Sequence, residues 1–588
     1  MLDINSRTIP FMNNNDGTRV QMASSQTRQA IALIDPEVPF IRSGYEEQYL
    51  HYGSYFYIAK DNGVVLYRDD DLLIIQYDDP DIEGEVIDLG NGVKNYDGFD
   101  KSLISDLYKD DRVVKDQILA RHSTINEEGF LQLGKNLITT FMSHPFGFKD
   151  AIPVSETCAE KMKIKYINSE IIEFTDLIPI MWKDGEISYP QGTYVEKADI
   201  IFYTKNRNPL TPSQIVNVGN PIRAKTNGKL YYKFIIDEVV KTKKEEEYYE
   251  NKYNETLNKQ MEISRFISMA FPKNEEKADM YKRYYCPQIY TKRRGKCIIL
   301  MYWIVSEIPI IPGCKLSNRH GNKGVCSIIV PDKEMPMLKS TGQYADIIIS
   351  PLSVTSRMNV GQLFEAHLNN ASHRILEQAK NMKTLDERKD LIMKFLSYIQ
   401  EDELNKIFER SFNEKLWNRI VKDNGIQIIE RPFHGCTYDD LIKACKFSGM
   451  DDDLKDEVLF NGKEYRSTFG WNYWYRLEHE PYKKTWGRSV GEYSSLGQPC
   501  RGTKAHRLGE MESWAVSAYP ASDNITEFFV TKSDNLSEAA RAMKYLHDGS
   551  ESIYAPHDKS TGVLRIFKDF LNAASYNFKY YNDADENN

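Results

Sequence analysis

Apolar and polar positions along the chain predict a strand-rich protein with a few helices. Two apolar runs, Cys297 to Ile311 and Val325 to Val330, are rich in β-branched and aromatic residues and predict strands. A helical pattern follows Asn359, which stands at the position of an N-cap. The apolar residues that recur at helical spacing there, and predict one buried helix face, are Phe364, Leu368, Ala371, Ile375 and Ala379.

The polar connection between the two predicted strands, Gly313 to Gly324, concentrates positive charge. Lys315, Arg319 and Lys323 supply the charge, while three glycines would let a ligand approach the backbone closely. Loops between strands are common places for binding residues, so the stretch is a candidate site for phosphate groups. On charge alone, a solvated hairpin tip is the simpler explanation.

Composition and charge narrow the class of protein. The 588 residues are 41% hydrophobic and 12% aromatic, which is typical of folded, multidomain chains, and neither a membrane-spanning run nor a secretory signal is apparent. We therefore expect a cytoplasmic protein without a membrane partner. A net charge of −9 argues against a protein that simply coats nucleic acid, so basic residues must act locally. Eight cysteines without a Cys-x-x-Cys pair favour reduced thiols over disulfides or zinc.

The order of residues in the polar connection resembles a known family. Gly313 to Gly324 reads Gly-Cys-Lys-Leu-Ser-Asn-Arg-His-Gly-Asn-Lys-Gly and resembles the catalytic-region loop of the second-largest (β) subunit of multisubunit DNA-directed RNA polymerases. The last six residues match the family sequence, and the two lysines have the same separation as in the family. The resemblance continues, in family order, through the segments 9–30, 332–337, 346–351, 356–362, 431–435, 459–465, 484–493, 509–519 and 531–534.

The resemblance implies roles for individual cations. Lys315 and Lys323 would hold the RNA 3′ end and the reacting phosphate, and Arg19 and Arg357 would hold the nucleoside triphosphate. Arg357 precedes a predicted helix N-terminus, where free N–H groups also favour an anion. His320 is expected to shape the loop or touch a phosphate rather than act as a general acid. The residues expected to contact nucleic acid are Arg28, Gln29, Arg319, His320, Asn322 and Arg488.

The metal-chelating aspartate motif of the family, which belongs to the β′ subunit, is absent from this sequence. The resemblance therefore implies that Mg²⁺ is held by a β′-like partner and that no residue here is a metal ligand. Asn95 to Leu103 is similar to a family segment with two carboxylates near the second metal. Asp100 keeps the first position, but Lys101 replaces the second acid, so a solvated or ion-paired Asp100 is at least as good an interpretation.

The implied fold is mixed α/β and multidomain, with a double-psi β-barrel core, a flap and a C-terminal anchor or clamp region. We expect the barrel to be assembled from two separated pieces, Tyr96 to Arg121 and Cys286 to Asn359. The predicted domains are an N-terminal hybrid-binding and barrel region, a flap-like domain, a barrel return with the catalytic loop, a helical insertion, and a hybrid-binding, switch and anchor region. Their respective boundaries are 1–120, 121–285, 286–382, 383–430 and 431–588.

Family β subunits carry several hundred residues before the motif at Ile9 to Arg19. The chain is therefore expected to be the C-terminal half of a split β subunit, resembling those of giant bacteriophages. Its expected partners are an N-terminal β-like chain, β′-like chains, a promoter-specificity subunit, template DNA, RNA and nucleoside triphosphates. Its expected location is the cytoplasm of an infected bacterial host, or the virion. The alternative function is that of a non-catalytic β-like fragment that binds polymerase or nucleic acid as a regulator.

Overall fold

A computed structural model describes residues 3–46, 56–90, 95–96, 98–174, 177–181, 190–206, 221–236, 243–290, 298–485, 487, 492, 500, 508–519, 521–529, 535–549 and 562–577. Two compact units are present, Met1–Pro481 and Tyr482–Asn588. The first unit holds every described strand and most of the described helices. No helix in these ranges is both long enough and apolar enough to cross a membrane.

A closed six-stranded barrel lies at the centre of the first unit. Its strands pair in a ring that mixes parallel and antiparallel neighbours, and they come from widely separated parts of the sequence. Inward-facing aliphatic and aromatic side chains such as Leu137, Val154 and Trp474 fill the interior. In ring order the strands are Lys135–Phe141, Ile347–Ile349, Ala151–Ser155, Lys323–Val330, Lys315–Asn318 and Phe469–Arg476.

The barrel confirms a mixed α/β fold but differs from the expected assembly. Tyr96 to Arg121 contributes none of its strands; the strands before the flap region are instead Lys135–Phe141 and Ala151–Ser155. Both fall inside the range 121–285 that was predicted to be flap, so that range begins with barrel. A third piece, Phe469–Arg476, comes from the predicted C-terminal region. Pairing between strands so far apart leaves no local signal in the sequence, which explains the misplacement.

Smaller sheets surround the barrel, and one six-stranded sheet is the largest of those described. Its order is Thr193–Val195, Gly228–Ile236, Ile298–Ile308, Ile164–Phe174, Phe99–Asp100 and Asn95–Tyr96. A four-stranded sheet contains Glu85–Asp88, Leu72–Tyr77, Gly63–Arg68 and Arg112–Val113. The remaining sheets comprise Phe56–Ile58 with Ile118–His122 and Leu103–Ile104; Leu177–Met181 with Ile200–Asn206 and Ile222–Arg223; Met337–Leu338 with Asp456–Phe460 and Lys463–Ser467; and Ile41–Arg42 with Ile428–Ile429.

The helix predicted after Asn359 spans Gly361–Lys380 and is the main helical support of the barrel. Its apolar residues enter a core shared with three helices within 383–430, the range predicted to be a helical insertion. These are Leu385–Leu396, Asp402–Ser411 and Glu414–Asp423. The other helices of the first unit, 3-10 turns included, are Ile4–Arg7, Met12–Asn14, Gly17–Thr27, Glu156–Lys161, Lys243–Ala270, Glu275–Tyr285, Pro287–Tyr290, Asp332–Glu334, Pro351–Thr355, Tyr438–Phe447 and Pro481–Lys484, which crosses the unit boundary.

The second unit is described as a series of helices. They span Glu510–Ala518, Ser522–Thr526, Leu536–His547 and Gly562–Ala573. Arg488, one of the predicted nucleic-acid contacts, lies outside the described residues. The expected anchor or clamp role of this region stays a prediction.

Candidate phosphate-binding site

The sequence predicted Lys315 and Lys323 in a loop between two strands. In the structure they lie on two adjacent barrel strands, Lys315–Asn318 and Lys323–Val330. The antiparallel register pairs Lys315 with Val325 and Ser317 with Lys323. Because alternate residues of a strand share one face, both lysines project from the same side of this hairpin, as diagonal neighbours roughly 7 to 8 Å apart. Both side chains are half-buried. The hairpin therefore presents two positive charges side by side on a rigid element.

The turn of the hairpin is built from inward-facing polar residues. The Asn318 side-chain oxygen accepts hydrogen bonds from the backbone N–H groups of His320 (3.0 Å) and Asn322 (3.1 Å). The Asn318 and Asn322 amides both donate to Gln362 Oε1, at 2.8 and 3.0 Å. Gly321 completes the turn with a φ of +74°, and an added Cβ would lie 2.5 Å from the Arg19 carbonyl oxygen. These hydrogen bonds and the close approach of the Arg19 backbone hold the turn in one conformation.

Glu365 lies against this turn and binds two of its side chains, Arg319 and His320. Its carboxylate pairs with the Arg319 guanidinium and accepts a hydrogen bond from His320 Nε2 at 2.8 Å. The same group also accepts the backbone N–H of Tyr473 at 3.2 Å. Arg319 donates further to the Ile41 carbonyl oxygen at 2.6 Å. Glu365 therefore ties the hairpin to the helix Gly361–Lys380 and to the neighbouring barrel strand.

The protonation states of this network follow from its burial. Burial raises the pKa of the Glu365 carboxyl, but the charge of Arg319 and the hydrogen bond from His320 outweigh it and set the pKa at about 2. Burial lowers the pKa of His320, although Glu365 opposes that shift. His320 is therefore neutral, with Nε2 donating to Glu365 and Nδ1 accepting from the Asn15 amide at 3.1 Å.

Arg319, His320 and Asn322 do not lie where the sequence prediction put them. Their exposed fractions are 7%, 0% and 2%, and their side chains bond to protein groups. A buried, bonded side chain cannot reach a nucleic acid without dismantling its network. These three residues shape the hairpin, which agrees with the loop-shaping interpretation of His320.

The helix Gly17–Thr27 crosses the hairpin and contacts the face that carries the lysines. Asp16 caps its start by accepting the Thr18 N–H at 3.1 Å. Near its end, Ser317 donates to Gln26 Oε1 at 2.6 Å. Just beyond the helix, Gln29 Oε1 lies 3.2 Å from both Lys323 Nζ and His479 Nε2. Gln29 and Lys323 are thus brought together, while Arg28 is exposed at the helix end.

Two arginines and one acid complete the site. Arg357 pairs with Asp150, with 2.5 Å between Nη1 and Oδ1. Burial, together with the positive charge of Arg357, lowers the pKa of Arg19, whereas Asp150 opposes this shift. The Asp150 backbone carbonyl accepts the Val325 N–H at 2.8 Å, so this cluster adjoins the lysine hairpin. The structure therefore brings Arg19, Arg357 and the hairpin together around one acid.

One sequence prediction near this cluster is wrong, and the other residue considered there, Asp100, has local hydrogen-bond partners. Asn359 is not the N-cap of the helix: the Gly361 N–H instead donates to Asn15 Oδ1 at 3.0 Å, and Asn359 is buried with its amide on the His320 carbonyl. Asp100 lies on a strand of the six-stranded sheet, where its carboxylate accepts hydrogen bonds from Ser102. Asp150 is the acid that pairs with Arg357.

Sequence reasoning missed Asp150, His479 and Glu365 as members of the site. A signal existed only for Glu365, because a carboxylate next to Phe364 on an otherwise apolar helix face requires a buried partner. Asp150 and His479 carry no comparable local pattern. Among the described residues, no group of three or more His, Cys, Asp or Glu side chains could hold a metal ion. The site can therefore bind phosphate groups through its cations.

Comparison of the sequence with known proteins places the chain in a family. Residues 5–505 match the family model described as RNA polymerase Rpb2, domain 6. The chain is 28% identical to the DNA-directed RNA polymerase subunit beta of Streptococcus mutans, over 92% of this chain and 41% of the relative. Identities to the proteins of the same name from Mycoplasma pneumoniae and Lawsonia intracellularis are 26% and 25%, over 94% and 96% of this chain and 41% and 50% of those relatives.

The chain spans half or less of the length of these curated relatives. The family match covers both the lysine hairpin and the two arginines, so the expected resemblance is confirmed at the level of the β subunit. The chain belongs to the RNA polymerase Rpb2, domain 6 family.

Proposed function

We propose that this chain is the C-terminal part of a β subunit in a multisubunit DNA-directed RNA polymerase and acts in template-directed RNA synthesis. The observation that carries the proposal is the strand register that sets Lys315 and Lys323 on one face of a barrel hairpin, beside Arg19 and Arg357. The printed name of the relatives, DNA-directed RNA polymerase subunit beta, supports the same activity.

The proposed chemistry assigns each pair of cations to one part of the reaction. The RNA 3′ oxygen forms a bond to the α-phosphate of the incoming nucleotide, and the bond to pyrophosphate breaks. Lys315 and Lys323 hold the RNA 3′ end and the reacting phosphate, while Arg19 and Arg357 hold the triphosphate as negative charge moves onto pyrophosphate. Because the hairpin is fixed by Glu365, the lysines are positioned before substrate arrives.

The proposed complex includes a partner that holds the metal. Magnesium chemistry, which activates the 3′ hydroxyl and neutralises the leaving group, is assigned to a β′-like partner, because the described residues here offer no metal-binding group. We further propose an N-terminal β-like chain, a promoter-specificity subunit, template DNA and RNA as partners. The finer assignments of a double-psi barrel, a flap, a C-terminal anchor, a bacteriophage origin and a bacterial host cytoplasm belong to the same proposal, supported by the sequence resemblance.

Primer extension by the reconstituted complex tests the function. Lys323→Ala should slow extension about 10²-fold, since it removes one positioned cation from the transition state. Lys333→Ala, which removes an exposed lysine ten residues downstream, is the matched control and should extend at the parent rate. Mass spectrometry of the purified complex should find the same partner chains with both variants. Parent-rate extension by Lys323→Ala would overturn the assignment, and co-purification with an intact host polymerase alone would favour the regulator.

A further inference from the structure

A buried ion pair lies at the open end of the lysine hairpin, away from the turn that Glu365 holds. The side chains of Arg476 and Glu480 are both 0% exposed, and they form hydrogen bonds from Nε to Oε1 at 2.6 Å and from Nη2 to Oε2 at 3.0 Å. Arg476 is the last residue of its barrel strand, where it is paired with Leu316 of the hairpin. The ion pair therefore adjoins Lys315, which directly precedes Leu316.

The Arg476 guanidinium also binds groups from the segments that lead into the hairpin. Its Nη1 donates to the backbone carbonyl oxygens of Met162 and Ile308, at 3.1 and 2.9 Å. Its Nη2 lies 3.5 Å from Cys314 Sγ. Burial raises the pKa of the Cys314 thiol to about 12, so the thiol is protonated and donates to Glu480 Oε2 at 2.8 Å. The pair is thus bonded to the residue that immediately precedes the first lysine.

The ion pair brackets a loop of three residues, 477–479, that is bonded to the hairpin. The Leu477 N–H donates to the Lys315 carbonyl oxygen at 2.9 Å. Just beyond the pair, Pro481 packs against Gly313, where an added Cβ would lie 3.1 Å from the proline Cβ. Gly313 has a φ of +100°, a conformation that favours glycine. Chain on both sides of Glu480 therefore constrains the backbone that carries Lys315.

The same loop reaches the second lysine through Gln29. The Glu478 N–H donates to the Gln29 carbonyl oxygen at 3.0 Å. His479 Nε2 and Lys323 Nζ each lie 3.2 Å from the side-chain oxygen of Gln29. The loop therefore contacts Gln29 at both its backbone and its side chain, and Gln29 accepts a hydrogen bond from the Lys323 ammonium group. Displacement of the loop would disturb both lysines together.

We propose that Glu480, acting through Arg476, is a positioning residue that holds Lys315 and Lys323 in place for nucleotidyl transfer. The inference rests on the proposed function and deepens it, because Glu480 is fully buried and acts without touching a substrate. Without the carboxylate, the guanidinium would be a buried charge without a counter-charge, so the end of the strand would relax toward water. A misplacement of about 1 Å in a reacting geometry can cost about 10²-fold in rate.

A role confined to stability predicts a different kinetic result. Loss of stability lowers the amount of complex that assembles but leaves the kcat and KM of each assembled complex unchanged. Loss of positioning lowers the kcat of the assembled complex. The KM for nucleoside triphosphates should stay the same, because Arg19 and Arg357, which are proposed to hold the triphosphate, are not part of the loop.

Primer extension by purified reconstituted complex, with rates expressed per assembled complex, tests the proposal. Glu480→Gln should lower kcat about 10- to 100-fold and leave the KM for nucleoside triphosphates within about twofold of the parent value. Cys314→Asp combined with Glu480→Gln should restore most of kcat, because a carboxylate in place of the thiol, 3.5 Å from Arg476 Nη2, can pair with the guanidinium. Asp456→Asn removes the acid of another largely buried pair, with Arg374, and is the control that should extend at the parent rate.

Hydrogen exchange of the full chain alone reports on the loop even if a variant assembles poorly. In Glu480→Gln, peptides covering residues 477–481 should exchange faster than in the parent, whereas peptides from the barrel strand Lys135–Phe141 should exchange at the parent rate. Faster exchange throughout the chain, or no change in the loop, would overturn the proposal.

Three kinetic results would also overturn the positioning role of Glu480. They are a parent kcat in Glu480→Gln, an equal loss of kcat in the control, and no recovery in the double variant. Parent-rate extension by Lys323→Ala would overturn the proposed function itself. Parent-rate extension by Glu480→Gln beside a slow Lys323→Ala would overturn only the positioning role, so the two failures are distinguishable.

Discussion

Replacement of Glu365 by glutamine isolates the charge that fixes the lysine hairpin. The side chains of Glu365 and Arg319 are 1% and 8% exposed, so the substitution leaves a guanidinium buried without its counter-charge. The folded-state pKa of about 2, against an ordinary value of 4.5, corresponds to about 3 kcal/mol of stability at pH 7. Loss of one partner from a buried pair costs about 3 to 5 kcal/mol in general, which agrees in size.

Urea unfolding followed by tryptophan fluorescence measures this loss, because Trp471 and Trp474 lie on a barrel strand beside the network. Since folding lowers the pKa of Glu365, its contribution is complete above about pH 4.5 and disappears as the pH falls toward 2. Glu365→Gln should therefore remove about 3 kcal/mol at pH 7 and less than half of that at pH 3. Glu377→Gln, on the same helix but in a half-exposed pair with Lys380, is the control and should cost less than about 0.5 kcal/mol. A loss at pH 7 no larger than that of the control would refute the reasoning.

Two further predictions concern a substrate contact and a second buried acid. Arg357→Ala should lower kcat/KM for nucleoside triphosphates about 10- to 100-fold in primer extension by removing a charge-assisted phosphate contact, and an unchanged kcat/KM would remove Arg357 from the site. Burial raises the pKa of Glu430, which is 2% exposed, to about 8, so the stability of the parent chain should fall as the pH rises from about 4.5 to 8. In thermal melts Glu430→Gln should therefore gain stability relative to the parent at pH 8 but little at pH 5, and an equal effect at both values would contradict this linkage.

The sequence supports the site more strongly than it supports the surrounding fold. The order and spacing of residues in Gly313 to Gly324 identified the two lysines, and the structure sets them on one face. The sequence could not show that Arg319 and His320 turn inward, because a polar stretch has the same residue pattern whether its side chains contact solvent or a buried acid. That acid, Glu365, lies 45 residues beyond His320 along the chain. Only the folded chain joins them.

Longer-range pairings account for the remaining errors. Asn359 satisfies the local pattern of an N-cap, but the Gly361 N–H donates instead to Asn15, which lies 346 residues before Gly361 in the chain. Asp100 was considered because of a short similarity, whereas no local pattern marked Asp150, which pairs with Arg357 and whose backbone carbonyl accepts the Val325 N–H of a barrel strand. The positions of Asn15 and Asp150 both depend on tertiary contacts. Patterns of adjacent residues do not contain that information.

Positive charge in the stretch Gly313 to Gly324 therefore has two separate uses. Arg319 pairs with the buried Glu365 carboxylate and stabilises the hairpin, whereas Lys323 is half-buried, donates to Gln29 Oε1 and lies on the face proposed to bind phosphate. On this reasoning, stability and phosphate binding depend on different members of one short motif, and substitutions at Glu365 and at Lys323 should separate them.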